Sequence, residues 1–221
     1  MAPLTESGSD PALRVPHPAA GPATPKRLEP AYPRPGRIGA RLAGAAALTA
    51  GVLSIVIGVL QFLFPQDEDP AIDPRTRFIL AMFTVSLWAF AVLFLGLARY
   101  ARSSWGAIVA ASGTVLLTVG TITSAVNGID LEFFPVVAIV ANALWLTGAI
   151  ALCVSLVRAR RVGLWLALAL PFVQLPLLFF SQIGGGTIAG LYLVAVGGVL
   201  LAGRVQQRAA RRAARAARAA D

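Results

Sequence analysis

Few side chains in this 221-residue chain can titrate, coordinate or attack, and those few are scattered. His17, the one histidine, sits in a proline-rich stretch, whereas Cys153, the one cysteine, sits in the apolar run "ALCVSLV". A membrane protease built on a Ser/His pair needs its histidine beside the nucleophile, and a zinc protease needs two histidines one helical turn apart. This inventory disfavours both. A lone cysteine forms no intrachain disulfide and behaves as a small hydrophobe in apolar surroundings. The "GGG" at Gly184 to Gly186 reads as a turn, because no strand precedes it to build a phosphate-binding loop, and no nucleophile elbow occurs. The acids of "DEDPAID", Asp67 to Asp73, lack the sixth-position glycine and twelfth-position glutamate of a calcium loop, so they are solvated loop acids or at most a weak cation-attracting rim. No catalytic, cofactor-binding or metal-ligating set emerges, and a non-enzymatic protein is expected.

The amides offer more. Asn142 and Gln174 both lie in apolar runs, where a primary amide needs hydrogen-bonding partners. Pro171 and Pro176 flank Gln174, remove two backbone donors and free carbonyls around it. A kinked helix with an amide at the same depth is one way transporters build a binding site. An ordinary bundle satisfies a bent helix in the same manner.

The elements that must position these groups follow from composition. The chain is 57% hydrophobic and 13% charged, whereas soluble domains carry roughly 25% charged residues. Six apolar stretches, at about 40 to 64, 77 to 98, 105 to 127, 135 to 157, 163 to 181 and 185 to 203, approach the ~20 residues a helix needs to cross hydrocarbon. The expected fold is an all-α transmembrane bundle of six helices. Residues 1 to 36 hold nine of the fifteen prolines and are expected to be a disordered tail. No short apolar core lies near Met1, so the first apolar run is expected to remain as a span and not to be cleaved as a signal.

The connections set the expected orientation. Lys26, Arg27, Arg34, Arg37 and Arg41 precede the first span, Arg99 and Arg102 follow the second, and Arg158, Arg160 and Arg161 follow the fourth. The alternate connections hold Asp67, Glu68, Asp69, Asp73, Asp130 and Glu132 against only Arg75 and Arg77. Basic connections face the cytoplasm, so both termini are expected there. Trp105 and Trp165 each follow a basic turn, where an indole prefers the headgroup level. Counting about eight residues inward from the outer ends, at ~1.5 Å per residue, reaches Ser54, Ser86, Thr118, Asn142, Gln174 and Tyr192. These six form the candidate polar layer.

Gly44, Gly51 and Gly58 recur every seven residues in the first span, and Gly106, Gly113 and Gly120 repeat the pattern in the third. Small stripes let membrane helices approach backbone to backbone, so both sets are expected to be helix-packing surfaces. A second small face on the third span, from Ala107 through Thr114 and Thr121 to Ala125, predicts two neighbours and a central place for it. Gly186, Gly190 and Gly197 give the sixth span a looser version. The tail "RVQQRAARRAARAARAAD", residues 204 to 221, continues as an Ala/Arg helix that anionic lipid headgroups should attract. It lacks the interleaved aromatics of a nucleic-acid binder.

Six short-looped spans, Gly/Ala-rich first and third helices and basic turns such as "RARRVG" resemble the small uncharacterised six-span integral membrane proteins of actinobacteria. The resemblance covers residues 37 to 203 in pattern. It implies a multi-pass protein of the bacterial plasma membrane and lends no functional residue. The expected role is structural, regulatory or that of a subunit for another membrane protein. The alternatives are a small-solute or ion transporter or permease subunit using the Asn142/Gln174 layer, and a lipid-modifying enzyme using the outer carboxylates or a partner's catalytic groups. No inverted repeat is visible, since the glycine heptads of spans one and three run in the same direction.

Overall fold

The computed structural model describes residues 37–64, 73–129, 131–160, 162–180 and 183–202. The two expected tails, at 1 to 36 and 204 to 221, and most of the "DEDPAID" loop lie outside the described residues. Those that are described form seven helices and no strand: α1 (Arg37–Leu63), α2 (Pro74–Ala98), α3 (Trp105–Asn127), α4 (Phe134–Ala159), α5 (Leu164–Phe172), α6 (Gln174–Phe179) and α7 (Gly185–Leu201).

Local chemistry sets the boundaries. Asp73 caps α2 by accepting the Arg75 amide at 3.1 Å, and Pro74 occupies the first position, where its missing N–H costs nothing. Gly128 ends α3 in the left-handed conformation with φ 78°, its amide bonded to the Ser124 carbonyl at 3.0 Å. Arg160 ends α4 in the same conformation at φ 52°, which only a few non-glycine residues adopt.

α1 to α4 are each long and apolar enough to cross a membrane, and Leu164–Phe179 and Gly185–Leu201 are shorter apolar helices. The six near-equal spans of the sequence reading are therefore four full-length helices and two short ones. Two residues explain the difference. Pro176 leaves the Phe172 carbonyl without its helical donor, and the run is interrupted at Val173 between α5 and α6. Gly184 adopts φ 89°, so α7 cannot begin before Gly185.

The helices close a ring in chain order. α1 packs on α2, α2 on α3, α3 on α4, α4 on α5, α6 on α7, and α7 returns to α1. The expected central place of the third span is corrected by this arrangement: α3 is a member of the ring, flanked by α2 and α4. It is nevertheless the most buried of the four long helices, because both of its small faces are covered.

On α1 small residues face inward and large ones outward, whereas α2 and α4 also bury Leu87, Phe90, Phe94, Trp145 and Leu152. On α1, Ala40, Ala43, Ala47 and Ala50 are buried while Leu42, Val52, Val56, Val59 and Phe62 are exposed. This inverts the pattern of a water-soluble helix, whose large apolar residues seek the core.

Close approach holds the closing seam. A methyl group on Gly51 would lie 2.8 Å from both the Gly190 carbonyl oxygen and the Val194 amide nitrogen. One on Gly190 would lie 2.5 Å from the Gly51 carbonyl oxygen. Gly44 stands against Leu201, and Gly58 against Gly186 and Thr187, so α1 and α7 run antiparallel with backbones touching. The third-span glycines meet α4: Gly106 faces Ala151 and Leu152, Gly113 faces Ala141 and Trp145, and Gly120 faces the Phe134 ring.

Inside the ring, Trp145 of α4 reaches α2, where its ring centroid lies 5.1 Å from that of Phe90 and 6.4 Å from that of Phe94. One edge of the bundle gathers the basic turns. Arg99 lies over Gly39 at the start of α1. The Ser103 amide donates to Ser155 Oγ of α4 at 2.9 Å.

Candidate functional site

The break between α5 and α6 places Gln174 at the first position of α6, the one buried residue of that helix. Its Nε2 donates to Asn142 Oδ1 at 2.7 Å and to the Asn142 backbone oxygen at 3.2 Å. Asn142 Nδ2 in turn donates to the Ala138 carbonyl one turn earlier, at 2.8 Å. Two amides that would each be costly alone in an apolar interior thus bond to one another and to α4, with Gln174 Oε1 left unpartnered.

The other members of the candidate layer go elsewhere. Ser54 of α1 and Ser86 of α2 are both buried with their hydroxyl oxygens 3.4 Å apart, a long and weak contact. Thr118 turns back on its own helix and donates to the Val115 carbonyl at 2.6 Å, a common outcome for hydroxyls on helices. Tyr192 of α7 donates to the Leu166 carbonyl in the first turn of α5 at 2.6 Å, which ties those two helices together. The six residues therefore form separate local contacts. Only Asn142 with Gln174, and Ser54 with Ser86, are brought together.

The structure adds two features with no counterpart in the sequence reading. Thr84 of α2 and Thr121 of α3 share a hydrogen bond of 2.7 Å. Trp145, one turn beyond Asn142 on α4, is buried with its indole nitrogen unpartnered. Its i, i+3 spacing from Asn142 was the available signal, since such pairs share a helix face. Trp105 and Trp165 are exposed, at the starts of α3 and α5. Cys153 is buried. Among the described residues no cluster of His, Cys, Asp or Glu could hold a metal.

The amide pair makes a measurable prediction. Asn142→Leu leaves Gln174 Nε2 only the backbone oxygen of residue 142 at 3.2 Å, and Gln174→Leu strands Asn142 Oδ1, so each single variant should lose ~1 kcal/mol, the scale of membrane hydrogen bonds. The double variant strands neither and should lose less than the sum. Denaturation of the four proteins in detergent checks this, and additive losses would show that the pair is energetically idle.

Fold and contacts together define an all-helical protein whose apolar helices suit a membrane. Comparison with protein-family models, with curated proteins and with solved structures finds no match to this chain.

Proposed function

We propose that this chain is a six-span protein of the bacterial plasma membrane with both termini cytoplasmic, serving without catalysis as a structural, regulatory or partner subunit. The observation that carries the reading is the wide exposure of large apolar side chains on every long helix. Glycine and alanine line the closest helix contacts beside buried leucine and aromatic side chains, while further valine, isoleucine, leucine and phenylalanine side chains cover the outside, where lipid accepts them without penalty. The two shorter apolar runs serve as the fifth and sixth crossings, accommodated by local thinning of the bilayer at a small cost per ångström.

Orientation rests on charge at one edge. The start of α1, Arg99, the Ser103–Ser155 contact and the end of α7 at Leu201 share that edge, through the approaches of Gly39 to Arg99 and of Gly44 to Leu201. The basic turns thereby gather on a single side, the cytoplasmic side under the positive-inside rule. Anionic headgroups there attract the arginines of residues 204 to 221, at roughly 1 kcal/mol each near the surface.

Single cysteines at Ser7, Ala71 and Ile129 in a Cys153→Ser background test the topology. An impermeant thiol reagent on intact cells should modify the cysteines at 71 and 129 and spare the one at 7. Modification at 7, or protection at both loop positions, contradicts the orientation.

A further inference from the structure

Arg102 and Arg158 are gathered by a contact between their neighbours. The Ser103 amide donates to Ser155 Oγ at 2.9 Å, and that hydroxyl donates back to the Ser103 carbonyl at 3.4 Å. Arg102 precedes Ser103, and Arg158 stands one turn beyond Ser155 on the same side of α4. Bond lengths, the Ser103–Ser155 contact and one helical turn together put the two Cα atoms within about 13 Å, a gap that two extended arginine side chains span. Both arginines are exposed. Asp73 and Glu132, the acids among the described residues, precede α2 and α4, whereas Arg102 follows α2 and Arg158 ends α4, so neither acid compensates them. Two cations held this close favour an anion between them, and guanidinium forks suit phosphate.

The seam beside them has room for an apolar chain along its outer side. A methyl group on Gly106 would lie 2.6 Å from the Leu152 amide nitrogen and 2.9 Å from Ala151 Cβ, and Gly148 stands against Ala110, so α3 and α4 touch by their backbones here. Thr147, Ala151, Val154 and Arg158, spaced i, i+4, i+7 and i+11, run along one stripe of α4, and Ala151 sets that stripe at the border of the contact. Thr147, Val154 and Arg158 are exposed. On α3, Trp105 adjoins Gly106 and is 57% exposed. The ring interior is buried, so the exposed borders of both helices lie on the outer side of the seam. That side is a shallow trough with an indole and two arginines at one end, the end where an indole meets lipid headgroups.

We infer that this trough binds a glycerophospholipid of net negative charge, its phosphate between Arg102 and Arg158 and an acyl chain along the seam of α3 and α4. A zwitterionic lipid brings an ammonium group that the same arginines repel. A free anion leaves the apolar border at Val154 unused. The inference rests on the membrane reading proposed above, and it adds a located site to the diffuse attraction of the arginines at 204 to 221.

Trp88→Phe and Trp165→Phe leave Trp105 as the one exposed indole, because Trp145 is 2% exposed. The full chain with these two changes is reconstituted in phosphatidylcholine bilayers, and Trp105 fluorescence is read as lipid brominated near the head of its acyl chain is added. Brominated phosphatidylglycerol should quench at about one tenth of the mole fraction that brominated phosphatidylcholine needs. Arg102→Gln with Arg158→Gln should bring the two lipids level, while glutamine at Arg208, Arg211, Arg215 and Arg218 should leave the preference intact. Equal quenching by both lipids in the chain that retains its arginines overturns the inference, whatever the folding of the glutamine variants, and leaves the membrane reading standing. A preference that survives the Arg102 and Arg158 changes, or is lost with the tail arginines, also overturns it, because the lipid is then held elsewhere. No quenching by either brominated lipid overturns the membrane reading and the inference together.

Discussion

Replacing Gly51 with leucine is expected to cost about 3 kcal/mol of stability, at the upper end of the usual range for overpacking, while Val52→Leu stays within about 0.5 kcal/mol of the parent. The two positions are adjacent in sequence and opposite in setting. A methyl group on Gly51 already meets the Gly190 carbonyl and the Val194 amide at 2.8 Å, and neither backbone atom can rotate away as a side-chain tip can. Val52 is exposed, with room for an extra carbon. The loss falls on the contact that closes the ring, because α1 is the principal partner of α7. Thermal denaturation of both variants in detergent measures it. Equal melting temperatures would mean that the seam is not formed.

Trp145→Ala is expected to cost about 3 to 5 kcal/mol, the range for deleting a large buried aromatic. The indole spans the interior from α4 to Phe90 and Phe94 of α2, and its removal leaves a void that neither helix can fill. α3 lies between α2 and α4, and Gly113 already holds it against the Trp145 backbone, with a methyl group there lying 2.5 Å from the Trp145 nitrogen. The ring therefore has little freedom to collapse. Trp145→Phe keeps most of the volume and should recover more than half of the loss. Chemical denaturation of the three proteins checks both statements, and a Trp145→Ala variant as stable as the parent would show that the interior aromatics carry no packing energy.

The helical architecture was legible because the bilayer demands long apolar runs and the sequence interrupts them with charge and proline. Gly44, Gly51, Gly58 and their third-span counterparts marked contact faces in the same way, since only close approach explains a strict glycine heptad in a helix. Which helix each face meets was not legible. Stripes on α1 and α3 look alike, yet one meets α7 and the other α4, and the choice follows from ring closure over the whole chain. Counting depth along helices does not say which side chains meet. It treats every polar side chain as reaching sideways, whereas Thr118 bonds to its own helix and Tyr192 extends to Leu166. The long amides of Asn142 and Gln174 were the exception, because two short-linked helices brought them within reach. Trp145 escaped notice among the tryptophans because Trp105 and Trp165, beside basic turns, drew the interfacial explanation, and nothing local distinguishes an indole that turns inward.

The central claim is that the large apolar side chains on the outside of the ring face lipid. Spin labels placed one at a time on cysteines at Val52, Val85, Ile150 and Leu191, all exposed mid-helix positions, in a Cys153→Ser chain reconstituted in bilayers, test it through collisions with two relaxing agents. Oxygen dissolves in hydrocarbon, and a neutral nickel chelate stays in water. At all four positions oxygen should broaden the label strongly and the chelate hardly at all. Greater accessibility to the nickel chelate than to oxygen at these positions would place the outer surface in water and contradict the account.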